Sequence, residues 1–116
     1  MQPHDVQILE HIFDYCVSIG EAVERFGDSF ESFRDDKAYH DLICFYLLQI
    51  GELSSHLSTE MRVETSERME WKQMKGMRNI VAHHYGSIRL DIVWNTVKQD
   101  VPPLKAFCEE MLKDFE

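Results

Sequence analysis

Apolar residues along this chain recur at intervals of three and four, the spacing of one face of an α-helix. The first stripe predicts a helix that Asp5 caps at its N-terminus and that runs to about Arg25. Its members are Leu9, Ile12, Phe13, Cys16, Ile19, Gly20 and Val23. The stretch that follows, RFGDSFESFRDD, is expected to be a connector in which a glycine ends the helix.

A second stripe predicts a helix from about Lys37 to Leu57, capped by Asp35 or Asp36. Its apolar positions are Tyr39, Ile43, Tyr46, Leu47, Ile50 and Leu57. The run Leu42–Ile50 within it is apolar nearly all round. A helix of that kind is either central in a bundle or covered by a second chain on its outer side.

A third helix is predicted from about Glu70 to His84, ending before Gly86. Its stripe consists of Trp71, Met74, Met77 and Val81. The polar stretch ahead of it should hold a loop or a turn, in which Ser58 or Thr59 could cap a short helix.

The last element begins near Asp91 and contains Pro102 and Pro103. Prolines usually end a helix, yet here the apolar register continues through them. The stripe runs Leu90, Val93 or Trp94, Val97, Val101, Leu104, Cys108, Met111 and Phe115. We therefore predict one long helix with a kink at the prolines, and an all-α, up-and-down bundle of four main helices, with or without one short extra helix.

Composition agrees with this fold class. The chain has 116 residues, enough for a single domain over residues 1–116, and 44% of them are hydrophobic, which is typical of a globular protein. Its three cysteines are widely spaced and lie in apolar surroundings, so we expect buried free thiols rather than disulfides or a zinc site. The N-terminus lacks the pattern of a signal peptide, and the longest apolar run is too short to cross a bilayer. We expect a cytoplasmic protein without a membrane partner.

The net charge of −9 argues against a general nucleic-acid binder, and DNA is not an expected partner. All 21 acidic residues, however, lie outside the segment from Trp71 to Leu90. That segment carries four cations, namely Lys72, Lys75, Arg78 and Arg89. It predicts a local anion site on an otherwise acidic surface, with Lys72, Lys75 and Arg89 as candidate RNA-binding residues.

The end of the third helix, MRNIVAHHY, concentrates residues that can perform chemistry. A histidine can move a proton near neutral pH, an arginine offers a planar fork that matches phosphate oxygens, and an asparagine can orient a neighbour. Together they suit cleavage of an RNA phosphodiester. No carboxylate lies nearby in the sequence, so the chemistry is expected to need no metal and no cofactor.

Helical geometry constrains this hypothesis. Arg78 and His83 are five residues apart, about 140° around an ideal helix, so they do not share a face. Either Arg78 curls round, or the helix distorts near His83, or a second chain completes the site; a two-fold dimer would bring two copies of the pair into one cleft. The alternatives are structural histidines and, with less support, a metal site, since adjacent His83 and His84 point apart.

The fuller pattern Arg-Asn-x-x-x-His-x-Tyr follows QIGEL in the second helix and precedes IVWNTVKQDVPPLKAF. In this order and spacing the three features resemble the HepT-like toxins of the HEPN superfamily, and the resemblance covers about Val6 to Leu112. It implies an all-helical ribonuclease, usually a homodimer, in which Arg78 and His83 are the catalytic pair. Asn79 would shape the site, and His84 matches no required position.

The resemblance also implies a partner. In that family a small nucleotidyltransferase antitoxin transfers AMP to a tyrosine, which here matches Tyr85, in what is described as a type VII-like toxin–antitoxin system. The added charge and bulk would fill an anion cleft. Glu52 of IGEL matches a recurrent acidic position, and we expect it to pair with Arg78. This chain has Glu70-Trp71 where the family often has Pro-Trp; we expect the helix to start there nonetheless.

Two functions from different classes remain at this point. The first is an RNase toxin that uses Arg78 and His83. The second is a non-enzymatic helical module that docks and positions a nucleotidyltransferase.

Overall fold

In this computed structural model the described part of the chain comprises residues 1–82 and 89–115, with residues 80–82 described by their backbone. Seven helices lie in that part, and no strand occurs in it. They are α1 (Pro3–Phe26), α2 (Phe30–Asp35), α3 (Lys37–Ser55), α4 (Thr59–Glu64), α5 (Trp71–Ala82), α6 (Leu90–Gln99) and α7 (Val101–Lys113). The predicted all-α bundle of four main helices is confirmed, with α1, α3, α5 and the bent α6–α7 pair as its long members.

The start of α1 differs from the prediction. The helix begins at Pro3, whose missing N–H suits the first turn, and Asp5 lies inside the helix instead of capping it. Asp5 is buried and accepts hydrogen bonds from the Ser58 backbone N–H at 2.8 Å and from Ser58 Oγ at 2.7 Å. The prediction that Asp5 is the N-cap was wrong because its partner lies 53 residues away in the sequence.

The other predicted caps are present. The Asp36 carboxylate accepts a hydrogen bond from the backbone N–H of Tyr39 at the start of α3, and Ser58 Oγ accepts one from Met61 at the start of the short helix α4. The expectation of a plain connector between α1 and α3 was wrong, because that stretch contains α2. Phe33 of α2 is fully buried between Tyr39 and Trp94, so aromatic packing holds this short helix in place.

The last helix is bent by 38°, as its continuous register predicted. The break falls at Asp100, just before the two prolines. Proline has no backbone N–H to donate and its ring clashes with the preceding turn, so a straight helix cannot continue through this point. Helical hydrogen bonds still bracket this point, from Asp100 N–H to the Thr96 carbonyl and from Leu104 N–H to the Asp100 carbonyl. The predicted stripe ends early: Phe115 lies beyond α7 and is 48% exposed.

Helix α3 is the centre of the bundle. Its two most extensive contacts are with α5 on one side and with α1 on the other, while α1 also packs against α7. The fully buried Leu9, Ile12, Ile43, Ile50 and Leu104 form the middle of this core. No helix in the described ranges is long and apolar enough to cross a membrane.

Candidate active site

The candidate site forms where α5 presses against α3 at Gly51. A Cβ atom placed on Gly51 would lie 2.7 Å from Arg78 Cβ and 2.8 Å from the Arg78 backbone nitrogen. Both distances are shorter than carbon and nitrogen atoms tolerate, so only glycine permits the two helices to meet at this distance. Close packing at Gly51 therefore fixes where the backbone of Arg78 lies.

The next residue of α3 holds the side chain of Arg78. Oε2 of Glu52 lies 2.7 Å from Nε of Arg78, so the predicted pairing of these two residues is present. The arginine side chain is 42% exposed and that of the glutamate 45% exposed. An ion pair that is this accessible to solvent contributes at most about 1 kcal/mol to stability. The pair accordingly orients the guanidinium more than it stabilises the fold.

His56 contacts the other oxygen of the same carboxylate. Its Nε2 lies 3.4 Å from Glu52 Oε1, four residues further along the chain and just past the last residue of α3. The backbone carbonyl of His56 is in turn 3.1 Å from Nε2 of His4, at the start of α1. Each oxygen of Glu52 thus faces a nitrogen-bearing side chain, Arg78 on one side and His56 on the other.

The segment from Trp71 to Leu90 contains no acidic residue, but carboxylates from outside it lie next to two of its arginines. Besides Glu52 at Arg78, Asp91 receives two hydrogen bonds from Arg89, from Nε at 3.1 Å and from Nη2 at 2.8 Å. The hydrogen bond from Arg89 lowers the pKa of the Asp91 carboxyl below its ordinary value. Arg89 is therefore already engaged with a carboxylate, and its place among RNA-binding residues stays a prediction.

Lys72, Lys75 and Asn79 are exposed and lie along one face of α5, since three- and four-residue steps keep a common face. Neither lysine has an ion pair with another residue of the described part. Within α5, Arg78 follows Lys75 by three residues, so these two are neighbours on the helix surface, while Glu52 contacts Arg78 from α3. The roles assigned to Lys72, Lys75 and Asn79 stay predictions.

A buried tryptophan fixes the start of α5. The helix begins at Trp71, as expected without the proline, and the indole Nε1–H donates to Thr65 Oγ1 at 2.7 Å. Thr65 Oγ1 donates in turn to the Met61 carbonyl of α4, and the Trp71 ring packs edge-on against Phe107. These contacts anchor α5 at one end, while Gly51 sets its distance from α3 further along.

Three residues of the sequence-predicted site, His83, His84 and Tyr85, lie outside the described residues, so their predicted roles rest on the sequence. In residues 1–82 and 89–115, no three His, Cys, Asp or Glu side chains cluster in a way that could hold a metal ion.

Gly51 and His56 are two site residues that the sequence reasoning missed. A glycine inside an otherwise apolar helix is a signal of close backbone approach, and Gly51 carries that signal within IGEL. The sequence signal for His56 was weaker: a histidine four residues after a glutamate lies on the same helix face as that glutamate.

Comparison with known proteins identifies the family. The model of the family described as "Ribonuclease HepT-like" matches residues 12–111. The chain is 33% identical over 105 residues to a candidate RNase of Caldanaerobacter subterraneus subsp. tengcongensis, covering 90% of this chain and 91% of that protein. It is 30% identical over 105 residues to a candidate ribonuclease HepT of Thermococcus cleftensis, covering 86% and 94% of the two chains. A candidate RNase of Methanocaldococcus jannaschii is 31% identical over 106 residues, covering 90% of this chain and 94% of that one.

No solved structure gives a significant match. The family model covers most of the chain, and relatives above 30% identity align over nearly their whole length. The chain belongs to the HepT-like ribonuclease family.

Proposed function

We propose that this protein is the endoribonuclease toxin of a toxin–antitoxin pair, and that it cleaves RNA without a metal ion by means of Arg78 and His83. The observation that carries the proposal is the support given to Arg78. A glycine in α3 sets its backbone, and Glu52 in the same helix engages its Nε at 2.7 Å.

That arrangement suits a phosphate ligand. The closest contact of Glu52 uses Nε, and no hydrogen bond joins the outer nitrogens Nη1 and Nη2 of Arg78 to a residue in the described ranges. Those two nitrogens form the edge that binds phosphate oxygens in pairs. Glu52 thus turns the guanidinium so that its outer edge can face a ligand.

The proposed reaction is an internal displacement at phosphorus. A base removes the proton of the ribose 2′-hydroxyl, the 2′-oxygen bonds to phosphorus, and the bond to the 5′-oxygen breaks as that oxygen takes up a proton. Arg78 would stabilise the additional negative charge of the crowded intermediate, and His83 would move one of the two protons. The expected products carry a 2′,3′-cyclic phosphate and a 5′-hydroxyl, and chelators should not stop the reaction.

A homodimer would complete the cleft. Phe45 is 48% exposed on α3, and it lies seven residues before Glu52, so both are on one face about 10 Å apart along the helix. Phe45 also contacts the half-buried Tyr46, with ring centroids 6.0 Å apart. A two-fold interface over this apolar face would bring two copies of Glu52 and Arg78 near one another.

The antitoxin is proposed to be a minimal nucleotidyltransferase that transfers AMP to Tyr85. The support is the family and the position of Tyr85, two residues after His83 in the motif. An AMP group on that tyrosine would add negative charge to the motif that contains Arg78, and it would compete with the RNA phosphate. After co-expression with such an enzyme, mass spectrometry should find the added AMP on Tyr85.

Growth arrest is the test of the whole proposal. Expression of the wild-type chain without its partner should stop growth, whereas Arg78→Ala and His83→Ala should not. Arg34→Ala serves as the matched control, because Arg34 is an exposed arginine on α2 whose contacts within the described residues are local: an ion pair with Asp35 and a cation–π contact with the Phe30 ring.

A harmless wild-type chain that still binds the nucleotidyltransferase would favour the non-enzymatic docking module over the ribonuclease. Toxicity that survives His83→Ala would reject the catalytic pair.

A further inference from the structure

A hollow of about 600 Å³ opens on the surface where α4 leads into α5. It is distinct from the contact between Gly51 and Arg78. Residues of both helices and of the turn between them form its wall, among them Arg62, Val63, Ser66 and Lys72. Among the described residues that line it, Glu70 is the one carboxylate against the two cations Arg62 and Lys72, so the lining itself has a net positive charge.

Arg62 contributes a donor without a partner. Its Nε is buried, yet it has no hydrogen bond to any residue of the described part. Its Nη2 reaches only Thr59 Oγ1, at 3.5 Å, which is a weak contact. Leaving a buried charged donor unpaired is costly. The arginine that carries it also lines the hollow, where a bound anion would face a guanidinium that is poorly paired within the described part of the chain.

The wall also offers an apolar surface. Val63 is 67% exposed on α4, and the buried Met69 and Trp71 also line the hollow. Cations beside an apolar surface match a nucleotide, whose phosphate is charged and whose base is flat and largely apolar on its faces.

The hollow is aligned with the candidate active site. Lys72, which lines the hollow, begins the exposed stripe on α5 that continues through Lys75 to Asn79. From Lys72 to Asn79 the helix rises by about 10 Å. A single RNA strand that follows this stripe would leave the hollow and arrive at Arg78 within a few nucleotides.

We propose that the hollow between α4 and α5 is a binding subsite for a nucleotide of single-stranded RNA, away from the bond that is cleaved. Arg62 and Lys72 bind its phosphate, and the base lies against Val63. The subsite rests on the proposed ribonuclease function for its role, but its binding of RNA can be measured separately from cleavage.

Binding is measured first, with a fluorescein-labelled 12-nucleotide RNA whose ribose 2′-oxygens are all methylated. This probe lacks the attacking hydroxyl and cannot be cleaved by the proposed route. Arg62→Ala and Lys72→Ala should each weaken its binding in fluorescence anisotropy by roughly tenfold, the effect expected for the loss of one charged contact to a phosphate.

The controls are Arg34→Ala and Lys37→Ala. Each removes one positive charge from the same acidic protein, but near the N-terminal end of α3, whereas the hollow follows its C-terminal end about 28 Å away. Binding by these two variants should equal that of the wild type. Lys72 is exposed, so Lys72→Ala keeps the test valid if Arg62→Ala fails to fold.

Cleavage kinetics then separate the two proposals. Arg62→Ala should raise KM for a 12-nucleotide substrate without changing kcat, and it should not affect a dinucleotide, which is too short to reach the hollow. Weakened binding by Arg62→Ala in a protein that cleaves no RNA would retain the subsite and reject the ribonuclease. The subsite would be overturned if Arg62→Ala and Lys72→Ala bind the probe as tightly as their controls, whether or not the protein cleaves RNA. It would also be overturned if the wild-type protein does not bind the probe.

Discussion

The two sides of the bundle are packed very differently around a glycine. At Gly51, α3 and α5 are so close that a single methyl group would collide with the backbone of Arg78. At Gly20, where α1 faces α6 and α7, the same methyl group would meet nothing within 4 Å. Gly20 instead lines a groove of about 250 Å³, with Cys16 at its base and Lys105 at its edge.

The difference shows where the distance between two helices is tightly constrained. Glycine inside a helix costs about 1 kcal/mol relative to alanine. Among the helical glycines of the described ranges, Gly51 alone has a close packing contact that accounts for this cost. The tight contact lies beside the candidate catalytic arginine. We infer that α5 is held at a fixed distance from α3 because Arg78 has to be placed, whereas the opposite side of the bundle tolerates space.

The largest effect is expected from Gly51→Ala. The added methyl must push α5 away from α3 or distort one of them, which typically costs about 1–3 kcal/mol in stability. A displacement of Arg78 by a fraction of an ångström to 1 Å should also slow RNA cleavage by roughly ten- to a hundredfold. Urea unfolding and the cleavage rate measure the two effects. Stability and activity like those of the wild type would mean that the close contact is unnecessary.

Glu52→Gln should have the next largest effect. It keeps the shape of the side chain but removes the charge that engages Arg78 Nε, so cleavage should fall by about tenfold, equivalent to about 1.4 kcal/mol in the barrier. Stability should change by less than about 1 kcal/mol because the pair is half exposed. In an Arg78→Ala background the same substitution should have no further effect on the rate. An equal loss in both backgrounds would show that Glu52 acts independently of Arg78.

Gly20→Ala is the matched control on the open side of the bundle. Here the methyl group has room, and alanine is the better helix former, so the free energy of unfolding should rise by about 0.5–1 kcal/mol. Cleavage should stay at the wild-type rate. A destabilisation as large as that of Gly51→Ala would remove the contrast between the two sides of the bundle.

The smallest effect is expected from thiol reagents on the open side. Cys16 borders the groove but is only 2% exposed, and burial raises its pKa to about 12, while burial raises that of Cys44 to about 11. Raised thiol pKa values favour the folded state below about pH 9, and this contribution is lost as the pH rises towards 11 and 12. At pH 8 Ellman's reagent should therefore label the unfolded chain and leave the native protein unmodified. Rapid labelling of native Cys16 would show that the groove admits solvent to the thiol.

Much of the fold was predictable because it is local. Three- and four-residue spacing located α1, α3 and α5, and the unbroken register through Pro102 and Pro103 predicted a bent helix instead of a loop. The errors have a common cause. Asp5 was misassigned as a cap because its carboxylate bonds to Ser58, far along the chain. Helix α2 was missed because its Phe33 packs against Trp94, which is also distant in the sequence.

The site was predictable only in part, for the same reason. Residue types in the motif singled out Arg78, and the resemblance to the family suggested Glu52 as its partner. The collision that makes Gly51 necessary joins residues 27 positions apart and appears only when α3 and α5 are packed together. The carboxylates of Glu52 and Asp91 likewise reach the cations of a segment that contains no acid of its own.

The central claim is that Arg78, held by α3, carries out RNA cleavage. The most direct test is the cleavage rate of purified wild-type protein, Arg78→Ala and Arg34→Ala on one single-stranded RNA, with EDTA present and the melting temperature of each recorded. Wild type and Arg34→Ala should cleave at equal rates, and Arg78→Ala should be at least about a hundredfold slower, as for the loss of one group that stabilises transition-state charge. A folded Arg78→Ala variant that cleaves as fast as Arg34→Ala would contradict the claim.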